Sequence, residues 1–170
     1  FYPCIVKPNA QGSTFGLSYV NEAGSLEEAI NHSLSFDSNV LIEEYIRGRE
    51  ITVGVLNNEV LPIVEILPKH KLYDYECKYT PGMTNYKCPI ELDNGLKEKI
   101  NIDTIKIFEL LGCRGYGRAD YIIDDNNNHY FLELNTLPGM TSTSLLPIAA
   151  ENSGLSFNNL IKKIVQLGLK

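Results

Sequence analysis

The chain has 170 residues, 44% of them apolar, and its 15 Lys and Arg against 21 Asp and Glu leave a formal net charge of −6. That supplies apolar material for an ordinary core, while the acidic balance offers no basic stripe to neutralise a nucleic-acid backbone. No apolar run reaches the ~20 residues that span a bilayer and no basic-then-apolar leader opens the chain, so the expectation is a cytoplasmic protein with neither a nucleic-acid nor a membrane partner. Cys4, Cys77, Cys88 and Cys113 lack C-x-x-C spacing and read as reduced thiols.

In chain order, Cys4-Ile5-Val6-Lys7 reads as a strand that Pro8 ends, followed by a small-residue loop bracketed by Gly12 and Gly16. Such a loop can bring backbone N–H groups close to phosphate oxygens, and Lys7 at the strand end is either a phosphate partner or a solvated cation. It is not a P-loop, because no lysine follows the second glycine. Ser25-Leu26-Glu27-Glu28 has the form of a capping box opening a helix to about Ser35, with Leu26, Ala29, Ile30 and Leu34 as its apolar stripe. Strands are expected over Val40 to Tyr45, Glu50 to Leu56 and Glu59 to Ile66, the last two joined by Asn57-Asn58 as a tight turn.

The segment Glu43-Glu44-Tyr45-Ile46 brings together a carboxylate, an aromatic ring and backbone donors, the groups that adenine recognition needs; the alternative is an exposed acidic strand end. Pro68 to Pro89 is a long irregular stretch rich in tyrosine and charge, either an active-site lid or a surface excursion. Leu96 to Leu111 reads as an amphipathic helix with Leu96, Ile100, Ile107, Phe108 and Leu111 available to the core, stopped by Gly112. Leu155 to Leu169 gives a last helix with Leu160, Ile161, Ile164 and Leu167 on one side.

The segments Tyr116 to Ile123 and His129 to Asn135 read as strands of a hairpin, joined by Asp124-Asp125-Asn126-Asn127-Asn128. A turn centred between Asn126 and Asn127 sets Asp120 opposite Glu133 and Arg118 opposite Asn135, all on one face. Two carboxylates plus the phosphates of a substrate are what magnesium commonly takes, so this face is a divalent-cation candidate; the alternative is a solvated face on which charges alternate. Thr136 to Thr141 then forms a Pro-Gly loop leading into a helix start at Ser142 to Leu146, whose free N–H groups suit an anion. His32, His70 and His129 share no spacing, which argues against a histidine metal site or a serine-histidine hydrolase.

Taken in order, Val6-Lys7-Pro8, Gly12-Ser13-Thr14-Phe15-Gly16, Glu43-Glu44-Tyr45-Ile46 with Glu50, Tyr73-Asp74-Tyr75-Glu76-Cys77-Lys78-Tyr79, Gly117-Arg118-Ala119-Asp120 and Leu132 to Thr141 resemble the motifs of ATP-grasp ligases, and within them the D-alanine–D-alanine ligase family. The resemblance covers essentially the whole chain. It implies an α+β fold, the ATP-grasp fold, with mainly antiparallel sheets flanked by helices and truncated at its N-terminal side. Phe1 without an initiator methionine leads straight into a strand that lies partway through the family's proteins. The chain is therefore expected to be a C-terminal portion, inactive alone, whose partner is the missing N-terminal domain of the same protein. Residues 1–56 would be the remainder of the central subdomain, and 57–170 the C-terminal subdomain with lid 68–89 and metal hairpin 116–135.

The resemblance also implies roles. Lys7 and Lys78 would hold ATP phosphates, Glu43 the adenine amino group, Ile46 the ring through its backbone, Tyr45 the base face and Glu50 the ribose. Asp120, Glu133 and Asn135 would hold two Mg2+ ions, or Mn2+, with Glu133 bridging. Arg118 and the Gly139 N–H would stabilise an oxyanion, Ser13 would bond a closing Tyr79, and Ser144 and Leu145 would take the carboxylate of the second D-alanine. The implied reaction is ADP-forming synthesis of D-alanyl-D-alanine through an acyl phosphate, for peptidoglycan precursors, and Tyr79 favours D-alanine as acceptor. D-lactate or D-serine as acceptor, and a non-catalytic nucleotide-binding module, stay open, as does the oligomeric state, a homodimer included.

Overall fold

The structure is a computed structural model that describes residues 1–70, 73, 75–80 and 82–169, with Tyr79 described by its backbone alone. The chain forms two compact units, residues 1–46 with 68–84 and residues 47–67 with 85–170. The border expected at residue 56 differs from this division, because the strand ending at Leu56 pairs along its whole length with the second unit's hairpin.

In the first unit β1 (Cys4–Pro8) is the centre of a three-stranded antiparallel sheet, flanked by β2 (Ser18–Val20) and β3 (Val40–Glu44). Alternation sends Cys4, Val6 and Val20 to one face, where they form a core with Ala29 of α1 (Leu26–Leu34). The capping box is not formed. A 3-10 turn at Ala23–Ser25 precedes α1, and Ser25 already has helical backbone angles (φ −98°, ψ −2°) with no side-chain cap bond, whereas an N-cap needs extended backbone. The expected stripe also shifts by one residue at its end. Leu34 is 46% exposed, while its neighbour Ser33 is fully buried, one helical period beyond Leu26 and Ala29.

In the second unit β4 (Gly48–Leu56) is central, and the order in its sheet is β7 (Thr84–Lys87), β6 (Val64–Pro68), β4, β8 (Tyr116–Asp124), β9 (His129–Asn135), with β5 (Glu59–Val60) beside β4. Asn57 and Asn58 both take left-handed φ, 55° and 61°, as a two-residue hairpin turn requires. The single strand expected over 59–66 is two strands. Leu61 N still donates to Gly54 O at 2.8 Å, but Pro62 has no N–H to continue the ladder. The stretch 68–89 is likewise less irregular than expected, since it holds α2 (Tyr75–Tyr79) and β7.

One sheet face packs on α3 (Asn94–Leu110), whose N-cap Asp93 accepts from Gly95 N at 2.9 Å and Leu96 N at 3.2 Å. Ile51, Val53, Ala119, Tyr121 and Ile123 from the strands meet Leu96 and Ile100 in this core. Leu111 is 60% exposed rather than in the core, because α3 has already ended; Gly112 leaves it with a left-handed φ of 68°. His129 Nε2 lies 2.9 Å from Asp103 Oδ2, tying β9 to α3 in a structural contact. α4 (Leu145–Asn152) packs on β4 at Gly54, where an added Cβ would lie 2.6 Å from Leu146 Cδ1. α5 (Phe157–Gly168) follows, starting two residues later than expected, with Leu160 buried.

A bidentate ion pair ties β4 to β6: Arg49 donates through Nε to Glu65 Oε1 at 2.6 Å and through Nη2 to Oε2 at 2.9 Å. These bonds hold the buried Glu65 carboxylate below its ordinary range against the opposing effect of burial. A depressed folded pKa gives stability that is present above the unfolded value and lost as pH falls through the folded one. Arg49→Met removes the depressing partner, so acid unfolding is expected to move to higher pH. Arg49 is 42% exposed on its side chain, which reduces the several kcal/mol of a wholly buried pair, so about 1–2 kcal/mol is expected at pH 7. Urea unfolding at pH 7 checks the magnitude and acid titration followed by circular dichroism checks the shift; an unchanged acid midpoint contradicts the account.

Candidate functional site

The first unit's sheet has a second face, opposite the Cys4 and Val6 core. Ile5 pairs with Tyr19 on one side and Glu43 on the other, and Lys7 pairs with Leu41, so Tyr19, Lys7 and Glu43 project together. Lys7 Nζ and Glu43 Oε2 make an ion pair at 2.6 Å. Tyr45 follows β3, and its ring meets Tyr19 edge-on at 4.9 Å between centroids. Ile46, next in sequence, is half-buried. Of the expected nucleotide residues, this face gathers Lys7, Glu43 and Tyr45, with the first two neutralising each other.

The glycine-bracketed loop is held rather than loose. Phe15 N donates to Gly12 O and Leu17 N to Thr14 O, while Ser13 and Thr14 both take left-handed φ, 55° and 62°, which is costly for residues with a Cβ and is found where surrounding structure enforces it. The buried Ser33 hydroxyl donates to Gly16 O at 2.6 Å, so α1 anchors the loop's last residue. Ser33 belongs to no motif and was not legible as a positioning group. Within the same unit, the Phe15 ring lies 5.0 Å from that of Tyr75, and Lys78 Nζ on α2 sits 5.2 Å from the Tyr73 ring centre. The expected Ser13 to Tyr79 bond falls on a side chain outside the described residues.

The second unit's sheet has a polar face opposite the α3 core. Across β4 and β8 the pairs are Glu50 with Ile122, Thr52 with Asp120 and Gly54 with Arg118. Across β8 and β9, Asp120 stands opposite Glu133 and Arg118 opposite Asn135, the pairing expected from the sequence. Glu50, Thr52, Arg118, Asp120, Glu133 and Asn135 therefore share one face. The route to that register differs from the expectation. Ile123 pairs with His129, which centres the turn on Asn126, and a bulge between Asp120 and Tyr121 skips Leu132 and restores the pairing.

Asp120 is only 7% exposed and fully committed. Arg118 Nε donates to its Oδ1 at 2.9 Å and Nη2 to its Oδ2 at 2.7 Å, and the Thr52 hydroxyl donates to Oδ1 at 2.5 Å. Glu133 is exposed and has no ion pair among the described residues. Asn135 Oδ1 accepts from Leu137 N at 3.2 Å, turning the chain into the Pro-Gly loop. There Ser144 stands at the N-cap of α4 with extended backbone (φ −77°, ψ 153°), and its hydroxyl oxygen accepts from Thr141 N at 3.1 Å instead of capping the helix. A Cβ on Gly139 would lie 3.0 Å from that oxygen. Leu145 is buried, so its contribution to a ligand is confined to its backbone N–H.

Among the described residues no group of three or more His, Cys, Asp or Glu side chains is gathered for a metal. The set on this face is two carboxylates and an amide oxygen, which suits a hard cation that takes its other ligands from phosphate and water. In this structure the Arg118 guanidinium occupies both oxygens of Asp120 and neutralises it. Thr52 adds a fixed donor that no motif announced; only its place between Glu50 and Gly54, on the polar side of a strand whose other side is Ile51, Val53 and Val55, marks it.

An antiparallel α+β architecture with a glycine-bracketed loop, and a hairpin face carrying Arg, Asp, Glu and Asn, defines the ATP-grasp class of ligase folds. Comparison with known proteins agrees. Residues 1–166 match the family model described as the C-terminus of D-Ala D-Ala ligase, and the chain belongs to that family. It is 47% identical over 171 residues to the D-alanine–D-alanine ligase of Desulforamulus reducens, covering 99% of this chain and 54% of that protein. Among solved structures it is similar to the D-alanine–D-alanine ligase of Bacillus anthracis, with TM-score 0.86, 36% identity, and coverage of 99% of this chain and 55% of that one. The same protein complexed with ATP gives TM-score 0.84 and 33% identity over 99% of this chain and 53% of that one. The VanG D-Ala:D-Ser ligase of Enterococcus faecalis gives TM-score 0.83 and 33% identity over 98% of this chain and 49% of that one. The chain thus spans about half the length of the curated relatives it matches.

Proposed function

We propose that the protein carrying this chain is an ATP-dependent ligase of the cytoplasm that joins two D-alanine molecules for peptidoglycan precursor synthesis, and that this chain supplies its ATP-handling and metal-holding residues. The observation that carries the reading is the hairpin register, which sets Asp120 against Glu133 and Arg118 against Asn135 on one face. A second domain, N-terminal to this chain, would complete the first amino-acid site. Among the described residues no helix is long and apolar enough to cross a membrane.

In this reading Lys7 and Lys78 bind ATP phosphates, Glu43, Tyr45 and Ile46 bind adenine, Glu50 takes the ribose, and Ser13 and Tyr79 close the site. Asp120, Glu133 and Asn135 would hold two Mg2+ ions, or Mn2+, which neutralise charge on the transferring phosphoryl group. The first D-alanine carboxylate oxygen attacks the γ-phosphorus, releasing ADP and leaving an acyl phosphate. The amine of the second D-alanine then attacks the acyl carbon, the bond to the phosphate oxygen breaks, and the amine loses a proton to give the dipeptide and phosphate. Arg118 and the Gly139 N–H face the tetrahedral oxyanion, and Ser144 with the Leu145 N–H orients the second carboxylate.

The test is ADP formation by the full-length protein with magnesium, ATP and D-alanine, with and without D-lactate or D-serine, and product masses by spectrometry. D-alanyl-D-alanine is the expected product, and no D-alanine-dependent ADP contradicts the reading. A D-alanyl-D-serine product is the second reading, favoured by the similarity to the E. faecalis D-Ala:D-Ser ligase.

A further inference from the structure

The loop between β1 and β2 is gripped at both ends by the last residues of α1 and the turn after it. At the loop's entry, Ala10 N donates to Asp37 Oδ2 at 2.6 Å and Gln11 Nε2 to Phe36 O at 3.1 Å. At its exit, Gly16 O accepts from the buried Ser33 hydroxyl, and the Phe36 ring fills the space beside Gly16, where an added Cβ would lie 2.7 Å from Phe36 Cδ2. Residues 33–37 are themselves closed into one piece, since Phe36 N and Asp37 N both donate to Ser33 O, at 3.0 and 3.3 Å.

Neither polar side chain serves the helix itself. A buried serine in a helix ordinarily bonds a carbonyl one turn back, and alanine would fill the site beside Ala29 with no hydroxyl to satisfy; Ser33 instead reaches out of α1 to a residue 17 positions earlier. Asp37 lies past the end of α1. Its Oδ1 accepts from Asn39 N at 3.1 Å, which orients the carboxylate locally and leaves Oδ2 to Ala10. The bonds from Asn39 N and then Ala10 N hold this carboxyl below its ordinary range. Between the two grips, Ser13 and Thr14 stand at left-handed φ, a conformation that residues with a Cβ keep only where their surroundings enforce it. We infer that Ser33 and Asp37 are positioning residues for the nucleotide's phosphates: they hold residues 10–16 in one conformation, so that binding the phosphates does not carry the entropy cost of ordering the loop. This rests on the ATP-binding reading above.

The experiment is calorimetric binding of ADP with Mg2+, and of adenosine, to the full-length protein, with steady-state KM values for ATP and D-alanine beside it. D37A, which removes both carboxylate bonds, is expected to weaken ADP about tenfold, the low end for losing a hydrogen bond to a charged acceptor, and to raise the KM for ATP by a similar factor. S33A removes a neutral bond and is expected to weaken ADP about fivefold. Adenosine, which has no phosphate, is expected to bind wild type and both variants equally, and the KM for D-alanine to stay unchanged. If D37A does not fold, D37N serves: it keeps one acceptor oxygen for two N–H groups and is expected to bind ADP several-fold more weakly than wild type. Wild-type ADP affinity in either variant, whatever its melting temperature, overturns the inference while leaving the ligase reading intact, and so does an equal loss of ADP and adenosine. Absence of ADP binding by the wild type overturns both.

Discussion

Glu133→Gln in the full-length protein is expected to lower kcat for metal-dependent ADP formation on the order of a thousandfold, the upper range for removing one element of transition-state charge stabilisation. Unfolding free energy is expected to stay within ~0.5 kcal/mol of wild type, as for surface substitutions away from special features. The two halves come from the same observation. Glu133 is exposed and unpaired among the described residues, so its charge supports nothing in the fold, yet the register holds it directly against the buried Asp120. In the proposed function that charge serves the metal. Gln keeps the size and one oxygen but removes the charge, and Mg2+ prefers carboxylate to amide when neutralisation is at stake. Phosphate release by the mutant at the wild-type rate, at any Mg2+ concentration, contradicts a metal role for Glu133.

The register shows how far local pattern carries and where it stops. Turn-forming residues at 124–128 place a hairpin, and alternation places faces, but neither reveals a bulge. The loop tightens around Asp124, whose carboxylate accepts from Asn126 N at 2.9 Å and Asn128 N at 2.8 Å, with Asn127 in the left-handed region. That shifts the turn centre by half a residue, and the skipped Leu132 shifts it back. The expected pairing of Asp120 with Glu133 is therefore observed through two departures that cancel. Elsewhere the departures do not cancel, because tertiary packing outweighs local preference. Ser25 loses its cap to a preceding 3-10 turn, Ser33 replaces Leu34 in the core to hold Gly16, and Pro62 divides a strand that apolar alternation runs together. Candidate residues with motif identity were legible; Thr52 and Ser33 were not, since their identity matters only through a partner far along the chain.

Arg118→Met is expected to show a larger and more composite effect. As an oxyanion donor, its loss would lower kcat by about a hundredfold or more. As the partner of Asp120, its loss leaves a carboxylate that is 7% exposed with only the Thr52 hydroxyl of its three hydrogen bonds among the described residues, and breaking such a pair costs about 3 kcal/mol. The same substitution clears the oxygen that a metal would use. Under the proposed function, added Mg2+ with ADP is therefore expected to raise the melting temperature of the variant by more than it raises that of wild type, since in wild type the ion would compete with the guanidinium for Asp120. Arg118→Lys separates charge from geometry: a single ammonium cannot reproduce the two bonds at 2.9 and 2.7 Å, so it should recover part of the stability but little of the rate. Calorimetry of the three proteins with and without Mg2+ and ADP decides the matter. If the metal-free variant melts with wild type, the pair contributes no stability; if the metal increments are equal, Arg118 and the cation do not compete for Asp120.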